Sequence, residues 1–173
     1  GSLGAAAINK VVPAMLAALL PAARPLVRHQ CGERNLEATR QWYSEAGLQS
    51  GEGLEMTAFI DDMAQAYGWA DLVLCRAGAS TVSELAAIGL PAILVPYPHA
   101  VDDHQSCNAR VLEKAGAAVV IPQQQLDAAS LAQALQQVAD RKVLLQRAAA
   151  AYAVGVRDAA SRAATLCLEA CDG

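Results

Sequence analysis

Arg76-Ala-Gly-Ala-Ser-Thr81 is the stretch whose residue types most directly suggest chemistry. Small residues around a glycine, placed where a helix begins, leave backbone N–H groups that the helix does not use, and the macrodipole adds partial positive charge there. Such an end binds anions, and Gly78 lets a ligand come close to the backbone. Ser80 and Thr81 add hydroxyl donors, and Arg76 adds charge. A plainer reading competes: Thr81-x-x-Glu84 has the spacing of a capping box, in which the protein's own side chains satisfy those amides. Spacing alone leaves a phosphate site and a self-capped helix both open.

Other polar groups are weaker candidates. Gly1-Ser-Leu-Gly4 is a second small-residue turn ahead of a helix, but it is neither G-x-G-x-x-G nor a P-loop. His99-x-x-Asp102-Asp103-His104 mixes imidazole and carboxylate, the donors of a divalent metal site. Adjacent aspartates at a helix start fit a cap better, so no metal is expected. Gln105 and Asn108, three apart on one helix, share a face suited to hydrogen-bonding sugar hydroxyls. His29 falls on an expected strand and reads as structural. No G-x-S-x-G elbow is present, which argues against a serine hydrolase. Five cysteines with no C-x-x-C pair read as reduced, mostly buried thiols.

The elements that must position these groups follow from pattern. Short apolar strands are expected at 25–30, 54–59, 71–75, 92–95 and 117–121. Helices are expected at 5–20, 33–46, 61–69, 80–88 and 103–115, with two or three more between 127 and 169 broken near Gly155 and Asp158. Strands that are apolar without alternation lie in a parallel sheet covered on both faces. The expected fold is therefore a doubly wound, Rossmann-like α/β domain spanning residues 1–173, with ligands at the carboxyl ends of its strands.

Composition narrows the function classes. In 173 residues, 54% hydrophobic and 17% charged with 39 alanines, the chain is a globular, helix-rich domain rather than a disordered one. Only 4% of residues are aromatic, the net charge is −4 and the 13 basic residues are scattered, so a nucleic-acid partner is not expected. Lys10 followed by the apolar run 11–23 has the look of a signal-peptide core, but Ile8, Val11, Val12, Met15, Leu16 and Leu19 are placed as one face of a buried helix. The run is too short to span a bilayer, which makes any membrane association peripheral.

Six segments occur in an order that resembles a known family. They are Gly1-Ser-Leu-Gly-Ala5, Phe59-Ile-Asp-Asp-Met63, Ala70 to Ala79, Thr81-Val-Ser-Glu84, Gly89-Leu-Pro-Ala92, and Pro96-Tyr-Pro-His99 continuing through Asp102-Asp-His-Gln105 to Asn108-Ala109. Together they resemble the MurG family of bacterial undecaprenyl-diphospho-muramoylpentapeptide N-acetylglucosaminyltransferases, of the glycosyltransferase family 28 type. The likeness covers nearly the whole chain but only the carboxyl-terminal half of the family's two-domain GT-B fold. It implies a donor domain for UDP-N-acetylglucosamine (UDP-GlcNAc). Ser2 matches the glycine-loop serine near the donor, Ile60 the position whose backbone reads the uracil edge, and Phe59 its neighbour. Ala79, Ser80, Thr81, Val82, Ser83 and Glu84 match the loop and helix start that hold the diphosphate, with Glu84 as the ribose carboxylate and Arg76 and Gly78 just ahead. His104 and Gln105 match the pair facing the sugar hydroxyls. Ser80 departs from the leucine usual in the family.

The same resemblance implies an inverting transfer of N-acetylglucosamine to lipid I, giving lipid II in peptidoglycan synthesis and so serving cell wall biogenesis, cell shape and cell division. It places the enzyme peripherally on the cytoplasmic face of the inner membrane and implies no cofactor. The general base and the acceptor site match nothing here and are expected in an amino-terminal domain, so this chain by itself is expected to be inactive. The family's glycine turn follows a strand that these residues do not include. That predicts a sheet short of one strand and a cleft open on one side. An alternative is a stand-alone nucleotide-sugar-binding subunit that needs a separate membrane partner.

Overall fold

The apolar stretches form five short parallel strands: β1 (Val27–Gln30), β2 (Leu54–Thr57), β3 (Val73–Cys75), β4 (Ala92–Leu94) and β5 (Ala118–Val120). Helices alternate with them: α1 (Ala6–Ala18), α2 (Leu36–Glu45), α3 (Met63–Trp69), α4 (Ala79–Ile88) and α5 (His104–Lys114), followed by α6 (Ala128–Gln136), α7 (Arg141–Val154) and α8 (Ala159–Cys171). The computed structural model describes residues 5–51, 53–98 and 103–171. The first small-residue turn, with Ser2, and also His99 and Asp102 lie outside the described residues.

β4 shows why the fold has three layers. Ala92 and Leu94 pack with Val82, Leu85 and Ala86 of α4, Ala109 and Leu112 of α5, and Ala151 of α7. Ile93 and Val95 point the opposite way, into Ile8, Val12, Met15 and Leu16 of α1 and Leu131 and Ala134 of α6. A strand buried on both faces has no polar side, so its sequence cannot alternate. Ile93 and Leu94 are fully buried and each contributes about 2 kcal/mol of transfer free energy. The apolar run after Lys10 supplies Val12, Pro13, Met15 and Leu16 to the buried side of α1, and no described helix is long and apolar enough to cross a membrane.

The doubly wound arrangement is present, but the strands fall into two sheets, β1–β2 and β3–β4–β5. Among the described residues no strand pairs with β1 or β3 on the edge away from β2 or β4. The two sheets nevertheless share one core, because Val27 and Met56 pack into the same cluster as Leu74, Ile93 and Val119, around α1.

Two local features hold the layers in register. Gly89 closes α4 with φ 73°, a left-handed conformation that favours glycine, and lets Leu90 N–H reach Leu85 O. At Gly155, the end of α7 lies so close to α4 that an added Cβ would sit 2.3 Å from Ala86 O. On the other side of the core, Tyr43 of α2 donates to His29 Nδ1 (2.9 Å). His29 Nε2–H donates to Asn9 Oδ1 of α1 (3.0 Å), and Asn9 Nδ2 donates to Cys31 O (2.9 Å). Asn9 has already committed its amide nitrogen, so its oxygen must accept, which fixes the tautomer of His29.

Two outcomes follow. Gly155→Ala should destabilise the chain by about 2 kcal/mol in urea unfolding, because backbone rather than a yielding side chain blocks the methyl group. Burial pushes the His29 imidazole down from 6.5 to about 4. The unfolded chain therefore binds the proton more readily between those values, and stability is lost as pH falls through that window. The loss should reach about 2 kcal/mol between pH 7 and pH 5. His29→Gln should flatten that slope, and an equally steep slope in the variant would assign it to other groups.

Candidate functional site

The loops at the carboxyl ends of β2, β3 and β4 bring the expected residues to one rim of the domain. The helix that matters most there, α4, is started by backbone alone. Gly78 is its N-cap residue, with φ −65° and ψ 148°, and no side chain caps it. The first helical hydrogen bond runs from Val82 N–H to Gly78 O (2.9 Å), which leaves the amides of Ala79, Ser80 and Thr81 without an intrahelical acceptor. Ala79 and Ser80 are exposed.

This placement corrects the capping-box reading. Thr81 lies three residues past Gly78, inside the helix, so Thr81 and Glu84 cannot close its first turn. A capping box does occur elsewhere, between Asp127 and Ser130 at the start of α6. The conformation of Gly78 is open to any residue, and a Cβ there would meet nothing nearer than Thr81 Oγ1 at 3.8 Å. Among the described residues nothing requires this glycine.

Side chains near the helix start divide into outward and inward groups. Ser80, Ser83 and Glu84 are exposed and Thr81 is half-buried, whereas Val82 is buried in the core with its amide already bonded. Glu84 accepts a hydrogen bond from Tyr67 Oη of α3 (3.0 Å). Phe59 is exposed, and Thr57 Oγ1 both donates to Phe59 O (2.6 Å) and accepts from Phe59 N–H (3.3 Å), fixing the turn after β2. Asp62 then caps α3 by accepting from Gln65 N–H (2.8 Å). Ile60, held between these two clamps, makes no backbone hydrogen bond to another described residue.

Arg76 turns away from the free amides. Its guanidinium donates to Val95 O (3.1 Å), Pro96 O (3.4 Å) and Gln123 Oε1, and stacks 5.4 Å from the Tyr97 ring. It is half-buried, and burial lowers its pKa from the usual value. Arg76 thereby ties the loop after β3 to the loops after β4 and β5. The expected sugar-facing pair on α5 is also engaged with backbone: Tyr97 N–H donates to Gln105 Oε1 (3.0 Å), and Asn108 Nδ2 donates to Ala77 O (3.1 Å). The amide of Asn108, read from spacing as a contact for sugar hydroxyls, instead braces the strand-to-helix turn. Asp103 enters α5 at φ 52° and accepts from Ser106 Oγ (2.6 Å), while His104 is exposed at the first position of the helix.

Tyr67 and Gln123 reach the site without any signal in the sequence, because each meets it across a gap that only folding closes; Tyr97 lies in the Pro96-Tyr-Pro-His99 segment singled out above, but only folding brings it to Arg76. A separate cavity of about 380 Å³ is walled by Pro96, Ser106, Arg110 and Gln123 among others, on a different face of α5. It contains no residue of the 79–84 segment.

Comparison with known proteins assigns this arrangement to a family. The Glycosyltransferase family 28 C-terminal domain matches residues 1–163. The chain is 53% identical over 174 aligned residues to a UDP-N-acetylglucosamine–N-acetylmuramyl-(pentapeptide) pyrophosphoryl-undecaprenol N-acetylglucosamine transferase of Marinobacter nauticus, covering 100% of this chain and 47% of that protein. It is likewise 53% identical over 170 residues to the transferase of the same name from Chromohalobacter salexigens, covering 98% and 46%. The crystal structure of Acinetobacter baumannii MurG superposes with a TM-score of 0.85 at 40% identity, covering 96% of this chain and 49% of that one. The chain thus spans about half the length of the curated relatives it matches. With its parallel strands, covering helices and family match running together over almost its whole length, the chain belongs to the glycosyltransferase family 28 carboxyl-terminal domain family.

Proposed function

We propose that this chain is the donor-binding half of a glycosyltransferase that moves N-acetylglucosamine from UDP-GlcNAc to lipid I, forming lipid II. The observation that carries the reading is the start of α4: three amides without a helical acceptor, no capping side chain, and a glycine that no described residue requires. Close approach by an outside anion accounts for all three. The unbonded backbone of Ile60 suits the edge of uracil, and the Glu84 carboxylate suits ribose hydroxyls. Ser80, Thr81 and Ser83 border the diphosphate, and His104 and Gln105 lie towards the sugar. Ser2 is assigned to the donor by its match to the family's glycine loop alone. Arg76 and Val82 support the rim through the loops and the core.

The chemistry follows from where charge develops. When the bond from the anomeric carbon to the β-phosphate oxygen breaks, negative charge grows on UDP. Fixed amide dipoles at the start of a helix stabilise that charge without reorganising. The general base that takes the acceptor's proton, and the lipid site itself, come from residues outside this chain. The protein works peripherally on the cytoplasmic face of the inner membrane, where its lipid acceptor is presented.

Calorimetric titration tests the reading. The chain by itself should bind UDP and UDP-GlcNAc, prefer the latter to other UDP-sugars, and transfer no sugar. Glu84→Ala should weaken UDP binding by about 10-fold through loss of charged hydrogen bonds to ribose; unchanged affinity would remove Glu84 from that role. Arg76→Ala should lower stability by about 2 kcal/mol in urea, having lost a strut between three loops. A fall in UDP affinity with unchanged stability would instead put Arg76 in contact with the diphosphate.

A further inference from the structure

The Tyr67–Glu84 hydrogen bond joins two parts of the rim that are far apart in sequence. Tyr67 lies on α3, the helix that begins three residues after Ile60, and its ring packs against the core beneath α4. Glu84 lies on the second turn of α4 and is exposed. An exposed glutamate samples many rotamers, and holding it in one for a ligand loses that freedom. A phenol anchored in the core and bonded to one carboxylate oxygen removes much of that loss before the ligand arrives. The carboxylate can still accept elsewhere, since its two oxygens offer about four lone-pair sites.

We infer that Tyr67 is a positioning residue for ribose recognition: its hydroxyl holds Glu Oε2 of residue 84 so that the other oxygen faces the sugar of the bound nucleotide. The inference rests on the donor-site reading above and deepens it, since it makes selectivity for a ribonucleotide a property of the α3–α4 contact. Tyr67 remains a donor throughout the neutral range, because burial and the bond to Glu84 both push its pKa up. The same contact couples the two halves of nucleoside recognition, because any shift of α3 that moves Ile60 also moves the group that orients Glu84.

Titration of UDP and of 2′,3′-dideoxyuridine diphosphate into the chain separates this role from a structural one. Tyr67→Phe should weaken UDP binding by about 3- to 10-fold and leave the dideoxy analogue within about 2-fold, since only the former has hydroxyls for Glu84. In the Glu84→Ala background the same change should add nothing to the loss. Equal weakening of both ligands, or unchanged UDP affinity in Tyr67→Phe where Glu84→Ala does weaken it, would overturn the role of Tyr67 and leave the donor site standing. No effect of Glu84→Ala would instead defeat the ribose reading on which the inference rests. If Tyr67→Phe does not fold, Glu84→Asp serves, because the shorter side chain cannot reach Tyr67 and ribose together. It should lose UDP affinity selectively, and full retention would overturn the proposal.

Discussion

Everything at the functional rim depends on a helix start that the protein leaves unsatisfied. In most helices a Ser, Thr, Asp or Asn side chain bonds the first free amides, as Asp127 and Asp140 do for α6 and α7. At α4 the N-cap position is Gly78, and the amides of Ala79, Ser80 and Thr81 have neither a helical acceptor nor a capping side chain. Their partial positive charge is fixed in direction by the helix, and the helix is fixed by Val82, Leu85 and Ala86 in the core. A site of this kind recognises negative charge through main-chain geometry.

The polar side chains around this rim serve mainly to hold it. Arg76 connects three loops, Asn108 braces Ala77, Gln105 accepts from Tyr97, and Thr57 and Asp62 clamp the turn around Ile60. Several of these residues have the look of ligand contacts in a linear reading, because donors and acceptors suited to a sugar are equally suited to a neighbouring carbonyl. The competition is decided by distance. A loop backbone within hydrogen-bond reach is present at all times, and leaving a half-buried amide or guanidinium unpaired costs more than bonding it does.

The division into two sheets bears on the same rim. β1 and β2 carry the turn around Ile60, and β3, β4 and β5 carry the helix start and the loops tied by Arg76. No described strand joins β1 to β3, so the two groups are aligned by the shared core around α1 and by contacts such as Tyr67 to Glu84. Tertiary packing of helices therefore carries an alignment that strand pairing gives within each sheet.

The order of strands and helices, the glycine turn that opens α4 and the family were all legible in the amino-acid order. Short apolar runs without alternation, bounded by turn residues, fit doubly covered strands, whereas the longer run after Lys10 has the length of a helix. Tertiary structure alone decided which residue caps α4, and hence that Thr81 and Glu84 form no box, because helix entry depends on where the chain leaves β3. It alone decided that Arg76 and Asn108 turn inward to carbonyls and that Tyr67 meets Glu84. Those pairings join residues separated by 17 to 47 positions. No local periodicity encodes such contacts; they come into being when the layers close.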